Sequence, residues 1–404
     1  MTQTPQRQTR RGAMKTMAGA TVGCLAGRGW LHAAEASTSG KFVEEQENGV
    51  EVWQVTTEEF DQSNIYCEIP YCSKDSRYFV YARKNNSLKT NRTEFMVVEL
   101  GTWKQERLGT GNSISGTAMS HDGQFYFLRH AENGATDLVR AELGSGKTEA
   151  VHRMKDLKIR SLGTVPNNGR YYAGGTITEP GWKMFDVALI DLQTGEERIL
   201  DRDPFILNPH PQFEPGEGRM LMIQHNRGGT YSDDGKLERL VGPEGATLYT
   251  LSVPEGKRTK LQVGKPYTTP CTGHEAWIGT TQEMILSVSG SGDFVPEKGN
   301  LLGVRPGKAP RVIARGYRFN HCGASRCGRY FWGDDWRPPY KIVVGSTTEE
   351  KSAVVCESKT KPDRRQNSHP HPYVTPDGKW VIFNSNRTGH AHVYAARVPE
   401  GIIG

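Results

Sequence analysis

One phrase recurs along this chain and limits its fold more than any other feature: a strand entering a polar or Gly turn, a second strand rich in aromatic and aliphatic residues, a loop, and a third strand. The clearest copy runs from His369 through Thr375-Pro-Asp-Gly378, continues as Lys379-Trp-Val-Ile-Phe-Asn-Ser-Asn-Arg387, and ends as His392-Val-Tyr-Ala-Ala-Arg-Val398. Weaker copies span Tyr71 to Tyr81, Ala118 to Phe127, Thr164 to Tyr172 and Gln212 to Ile223, and two degenerate ones span Glu275 to Ile285 and Gly323 to Trp332. The seven starts lie roughly 45–50 residues apart, with one longer interval where the fourth unit carries an insertion around Gly228 to Gly245.

A period of that length with three or four strands per unit is the signature of a β-propeller, in which each small sheet buries its faces against its neighbours. The expected fold is therefore all-β, a seven-bladed β-propeller over residues 37–404. A pair of β-sandwiches is the rival, and it does not require the repeated phrase. The strand Gly49 to Val55 precedes the first unit and is expected to complete the last blade, which would remove an exposed edge. With 46 Gly, 22 Pro and no long helical tract, the composition suits short strands joined by turns.

Residues 1–36 read differently. Arg10-Arg11 and Lys15 precede a short apolar stretch from Met17 to Gly27, and Ala34-Glu-Ala36 resembles a cleavage site. This is the pattern of an export signal of the twin-arginine type, so the expected location is periplasmic or secreted. Beyond it no apolar run approaches the ~18 residues of a membrane span. The formal net charge of +6 includes leader residues, and Lys and Arg are scattered rather than gathered in a stripe, which argues against nucleic acid and leaves a small anionic substrate as the fitting partner. Oligomeric state is not encoded in any visible motif. Cys67/Cys72 and Cys322/Cys327 share a C-x4-C spacing, so in an oxidising compartment either pair could form a disulfide.

Aligning the units on their turns brings histidines into register. His371 lies at the start of the innermost strand of the last unit, and the equivalent positions of the fourth, fifth and sixth units are His210, His274 and His321; the first three units have Ile69, Gly116 and Leu162. Innermost strands run side by side around the channel, so four consecutive blades are expected to point imidazoles into one mouth. Just upstream, Gln366-x-x-His369-x-His371 adds a carbonyl oxygen and two histidines at i, i+2, which share a side on an extended segment. Imidazoles with one amide oxygen are borderline ligands, suited to Mn²⁺, Fe²⁺, Co²⁺, Ni²⁺ or Zn²⁺.

The last unit has the form of a TolB-like propeller repeat. The phrase Gln366-Asn-Ser-His-Pro-His-Pro-Tyr-Val-Thr-Pro-Asp377, with Gly273-His-Glu-Ala-Trp277, Phe319-Asn-His321 and Ile223-Gln-His225, resembles the oligogalacturonate lyase family of seven-bladed propellers. That resemblance implies a divalent metal, usually Mn²⁺, held by His321, Gln366, His369 and His371. It implies His274 as general base and an anionic uronate oligosaccharide as substrate, cleaved by β-elimination. His210, His225 and Arg227 are the candidate substrate-binding residues. The family's substrate arginine has no counterpart in Gly245 to Tyr249, and the export signal is a further departure. Two other readings stay open: a TolB-like protein-interaction propeller without catalysis, and a metal-dependent hydrolase at the same site. A serine peptidase is disfavoured, since no Gly-x-Ser-x-Gly elbow is present.

Overall fold

The recurring turns are built by the side chains that mark them. In Thr375 to Gly378 the Thr375 hydroxyl donates to Asp377 Oδ1 at 2.6 Å, the Gly378 N–H donates to Thr375 O at 2.8 Å, and Gly378 takes φ +75°. The turn from Ser120 to Gly123 repeats the plan: Ser120 donates to Asp122, the Gly123 N–H donates to Ser120 O at 3.0 Å, and Gly123 has φ +87°. A side chain at Gly123 would also meet the Lys74 backbone nitrogen of the neighbouring unit, so the glycine serves both the turn and the packing.

The computed structural model describes residues 37–38, 40–84, 92–131, 134–361, 363 and 365–402. The expected export segment, residues 1–36, lies outside them. Among the described residues the chain is almost wholly antiparallel sheet, with two short 3₁₀ turns at Gly292–Phe294 and Gln366–Ser368. The strands form consecutive up-and-down sheets, the arrangement of a β-propeller. Gln212–Phe213 to Arg311–Ala314 forms one eight-stranded sheet, whose halves are joined only by the pair Ala246↔Cys271. Dividing it there matches the repeat reading of the fourth and fifth units.

Burial follows position in each sheet. The central strands Tyr171–Thr176 and Tyr330–Asp335 are buried at every residue, because a blade is covered on both faces. Outer strands such as Thr148–Arg153 and Arg258–Lys260 are largely exposed and charged. Inner strands are short, often two residues, as at Ala118–Met119, Gly163–Thr164 and Tyr373–Val374. The strand Glu51–Gln54 pairs antiparallel with His392–Arg397, with Val52 opposite Ala396 and Gln54 opposite Tyr394, so first and last parts of the chain share one sheet. The insertion in the fourth unit forms a hairpin of Thr230–Tyr231 with Leu237–Arg239. All six described cysteines are free thiols, five of them buried.

One segment departs from the register expected of the first unit. Residues 65–71 pass among the inner ends of units far away in sequence. Cys67 O accepts from Trp332 Nε1 at 2.8 Å, and Glu68 accepts from Gln212 Nε2 at 2.6 Å. Gly323 permits the first contact, since a Cβ there would strike both the Trp332 ring and the Cys67 carbonyl. First-unit residues thus fill the middle of the ring and touch the fourth and sixth units.

Candidate metal centre and catalytic site

Three of the aligned histidines converge. His274 projects from the strand Cys271–Trp277, His321 from Phe319–Ala324, and His371 from the segment between the 3₁₀ turn and the strand Tyr373–Val374. One ring nitrogen from each lies within 4.8 Å of the others. The His321 ring is 4.3 Å from those of both His274 and His371, centroid to centroid. His371 is held at φ +40° although proline follows it, a backbone state uncommon for a residue with a side chain. Its carbonyl is fixed by Asn64 Nδ2 at 2.7 Å, so contacts from the first unit maintain the conformation.

The surroundings of each ring differ. His321 is fully buried; Asp334, also fully buried, takes its backbone N–H at 2.9 Å and meets its Nδ1 at 2.6 Å. A carboxylate on Nδ1 fixes the tautomer and leaves Nε2 as the ligand atom, which Asn320 Nδ2 approaches at 3.3 Å. His371 Nε2 is buried with no hydrogen-bond partner, and so is His369 Nδ1. Burial comes first in holding the pKa values of His274, His321 and His371 well below the ordinary imidazole value, and neighbouring imidazoles add to it. Burial also pushes the Asp334 carboxyl up to about 7. The cluster is therefore a set of neutral imidazoles with lone pairs available at neutral pH, the state a metal requires. An orphaned buried nitrogen among them fits a divalent cation.

The other sequence candidates fall in different places. The His369 ring lies 5.4 Å from His321 and 4.9 Å from Trp336, while its Nε2 meets the Asp363 carbonyl at 3.2 Å. Gln366 is exposed, in the 3₁₀ turn. His210 faces a different group: its Nδ1 is 2.8 Å from Glu68 Oε1. Burial opposes charge on His210, yet the Glu68 carboxylate outweighs this and raises its pKa to about 9. His225 Nε2 is 2.9 Å from Asp203 Oδ1, so the second strand of the fourth unit, Met220–Asn226, meets the end of the outer strand Glu196–Asp203 of the third. Arg227 spends each guanidinium nitrogen on a backbone carbonyl, with Nε to Gly245, Nη1 to Lys265 and Nη2 to Glu244.

Sequence reasoning passed over Asp334, Trp336 and Tyr66. The Tyr66 ring sits 4.8 Å from His371, 5.7 Å from His210 and 6.1 Å from His274, between the two histidine groups. A clue for Asp334 was available, since Asp334-Asp335 closes the second strand of the sixth unit, Tyr330–Asp335, which pairs with the strand carrying His321.

Fold and site together define a β-propeller with a buried, metal-competent histidine cluster among the inner ends of its blades. The chain is similar to an oligogalacturonate lyase of Dickeya dadantii (strain 3937), at 22% identity over 359 residues that cover 76% of this chain and 84% of the relative. The resemblance drawn from the histidine phrases is thereby borne out over most of the sequence. No family model matches the chain. An oligogalacturonate lyase structure from Vibrio parahaemolyticus superposes with a TM-score of 0.69 at 19% identity, covering 90% of this chain and 98% of the other. An oligogalacturonate lyase in complex with manganese superposes with a TM-score of 0.66 at 17% identity, covering 90% and 97%. At these identities the structural likeness carries the fold.

Proposed function

We propose that this protein is a metal-dependent lyase that cleaves 4-linked uronate oligosaccharides by β-elimination. The observation that carries the reading is the convergence of His274, His321 and His371 with a buried, unpartnered Nε2 on His371. The similarity to oligogalacturonate lyases, one of them solved with manganese, supports Mn²⁺ as the ion. In this reading His321 and His371 are the inner ligands, and His369 and Gln366 complete the set. A divalent ion held there would supply positive charge for a substrate carboxylate and so make the adjacent C5 proton more acidic.

The chain's own residues do the rest. Asp334 holds the His321 ring in place, and Trp336 and the buried wall behind it keep water from the imidazoles. His274 is half-buried, and its desolvation together with the neighbouring imidazoles keeps it neutral, so it can accept the C5 proton on a ring nitrogen. As the C5–H bond breaks, its electron pair forms the C4–C5 double bond and the O4 glycosidic bond leaves with its own pair, giving a 4,5-unsaturated sugar. Bound anionic substrate raises the basicity of His274 relative to the empty site, where burial and neighbouring imidazoles lower it. The segment at residues 1–36 supports a periplasmic or secreted location for this activity.

The test is the ultraviolet absorbance of the unsaturated product, using protein loaded with Mn²⁺ and digalacturonate or other uronate oligosaccharides. Absorbance should rise in wild type and vanish with chelator. His274→Ala should abolish turnover while keeping bound Mn²⁺; loss of the ion in that variant would make His274 a ligand instead of the base. Absence of product on every uronate, with metal bound, would overturn the lyase reading.

A further inference from the structure

Beside the histidine cluster lies a second group that the proposed reaction does not use. Glu68, His210 and Glu275 each offer one ligand atom, and these atoms lie within 4.8 Å of one another. They come from the first, fourth and fifth units of the repeat. Side chains alternate along a strand, so the strand Cys271–Trp277 turns His274 toward one cluster and Glu275 toward the other. Tyr66 stands between the two groups, its ring 5.7 Å from His210 and 4.8 Å from His371.

The group is incomplete as a hydrogen-bond network. Glu68 is satisfied: His210 Nδ1 meets Oε1 at 2.8 Å and Gln212 Nε2 donates to Oε2 at 2.6 Å. Glu275 is fully buried, and neither carboxylate oxygen has a partner. Gln212 donates to the Glu275 backbone carbonyl at 2.6 Å and leaves its side chain unaided. Among native proteins a buried carboxylate without partners is rare and calls for an occupant. Glu68, His210 and Gln212 also line a partly open cavity of about 70 Å³, which reaches two of the three ligand residues and gives an ion a way in. Two ligands bonded to one metal at about 2.0–2.3 Å stand no more than about 4.6 Å apart, close to the spacing here.

We propose that Glu68, His210 and Glu275 form a second divalent-cation site, separate from the histidine cluster. Two carboxylates and one imidazole make it a harder donor set than three imidazoles, suited to Mn²⁺ and related ions. The ion compensates the paired buried carboxylates and ties the crossing segment at Glu68 to the fourth and fifth units. His210 holds φ +41° with proline after it, the same backbone state as His371, and an ion binding here would displace the proton it shares with Glu68. The inference is independent of lyase chemistry, since it concerns how many ions the folded chain holds.

Equilibrium dialysis of the full chain against Mn²⁺, with metal counted per chain, tests it. Wild type is expected to hold two ions; Glu275→Gln and Glu68→Gln should each hold one, and His321→Ala with His371→Ala should also hold one. A single ion in wild type, lost from the His321/His371 double variant and unaffected by Glu275→Gln, would overturn the second site and leave the histidine centre standing. If both glutamate variants fail to fold, the double histidine variant decides alone: one retained ion supports the second site, and none overturns it.

Discussion

His321 and Asp334 meet at 2.6 Å, Nδ1 to Oδ2, with both side chains shut away from solvent. The carboxylate selects the tautomer and leaves Nε2 as the ring nitrogen available to a metal. Asp334→Asn keeps an acceptor on Nδ1 but removes the charge that strengthens the ligand. It should lower Mn²⁺ affinity by about 10–100-fold with little change in fold. A Mn²⁺ titration beside a circular dichroism spectrum checks this; unchanged affinity would mean that His321 does not bind the ion.

The metal-free protein should lose stability as pH rises through the neutral range. Burial pushes the Glu275 carboxyl up to about 8, and His210, against its own burial, is raised to about 9 by Glu68. Both native groups hold protons that the unfolded chain has released, so their contributions are present below the unfolded values and disappear as pH climbs through the folded ones. The depressed histidines act in the opposite sense, but only below their ordinary value near ~6.5. Between pH 7 and 8 the slope should therefore be negative, at about 1.4 kcal/mol per pH unit for each proton. Urea unfolding across that window should show Glu275→Gln with a shallower slope than wild type.

Trp332 offers a probe of the crossing segment. Its ring is fully buried and its Nε1 donates to Cys67 O at 2.8 Å. Trp332→Phe preserves most of the apolar contact and leaves that carbonyl without its donor, costing about 1–3 kcal/mol. Denaturant midpoints read the loss. A neutral result would show that the segment at residues 65–71 is not held by this bond.

Val52 tests the shared sheet. It is fully buried and opposite Ala396. Val52→Asp places an unpaired charge there and should remove about 4 kcal/mol or more. Because the strand joins both ends of the chain, unfolding should shift as one cooperative transition and not as local fraying, which hydrogen exchange can separate.

What was legible in the sequence was whatever recurs at a fixed spacing. The Asp-Gly turns at Asp122 and Asp377 and the alignment of His274, His321 and His371 follow from a period, and the structure brings those three rings together. The same alignment set His210 in the ring of imidazoles, whereas its partner is Glu68, a residue of a segment whose path across the middle has no local signal. Arg227 illustrates the other limit: a long side chain has many reachable partners, and here backbone carbonyls around the insertion take it. The C-x4-C spacing raised the prospect of disulfides, yet Cys67 belongs to the crossing segment and the cysteines are free.

The pairing of Gln54 with Tyr394 makes one sheet wait for a strand that is synthesised much later. The two partners are separated by roughly 340 residues, so at ribosomal speeds of about 5–20 residues per second the early strand waits about 17 to 70 seconds before its mate is made. His371 is also made late, about 100 residues after His274. Until the strand His392–Arg397 has been made, Glu51–Gln54 lacks that partner and its sheet keeps an open edge.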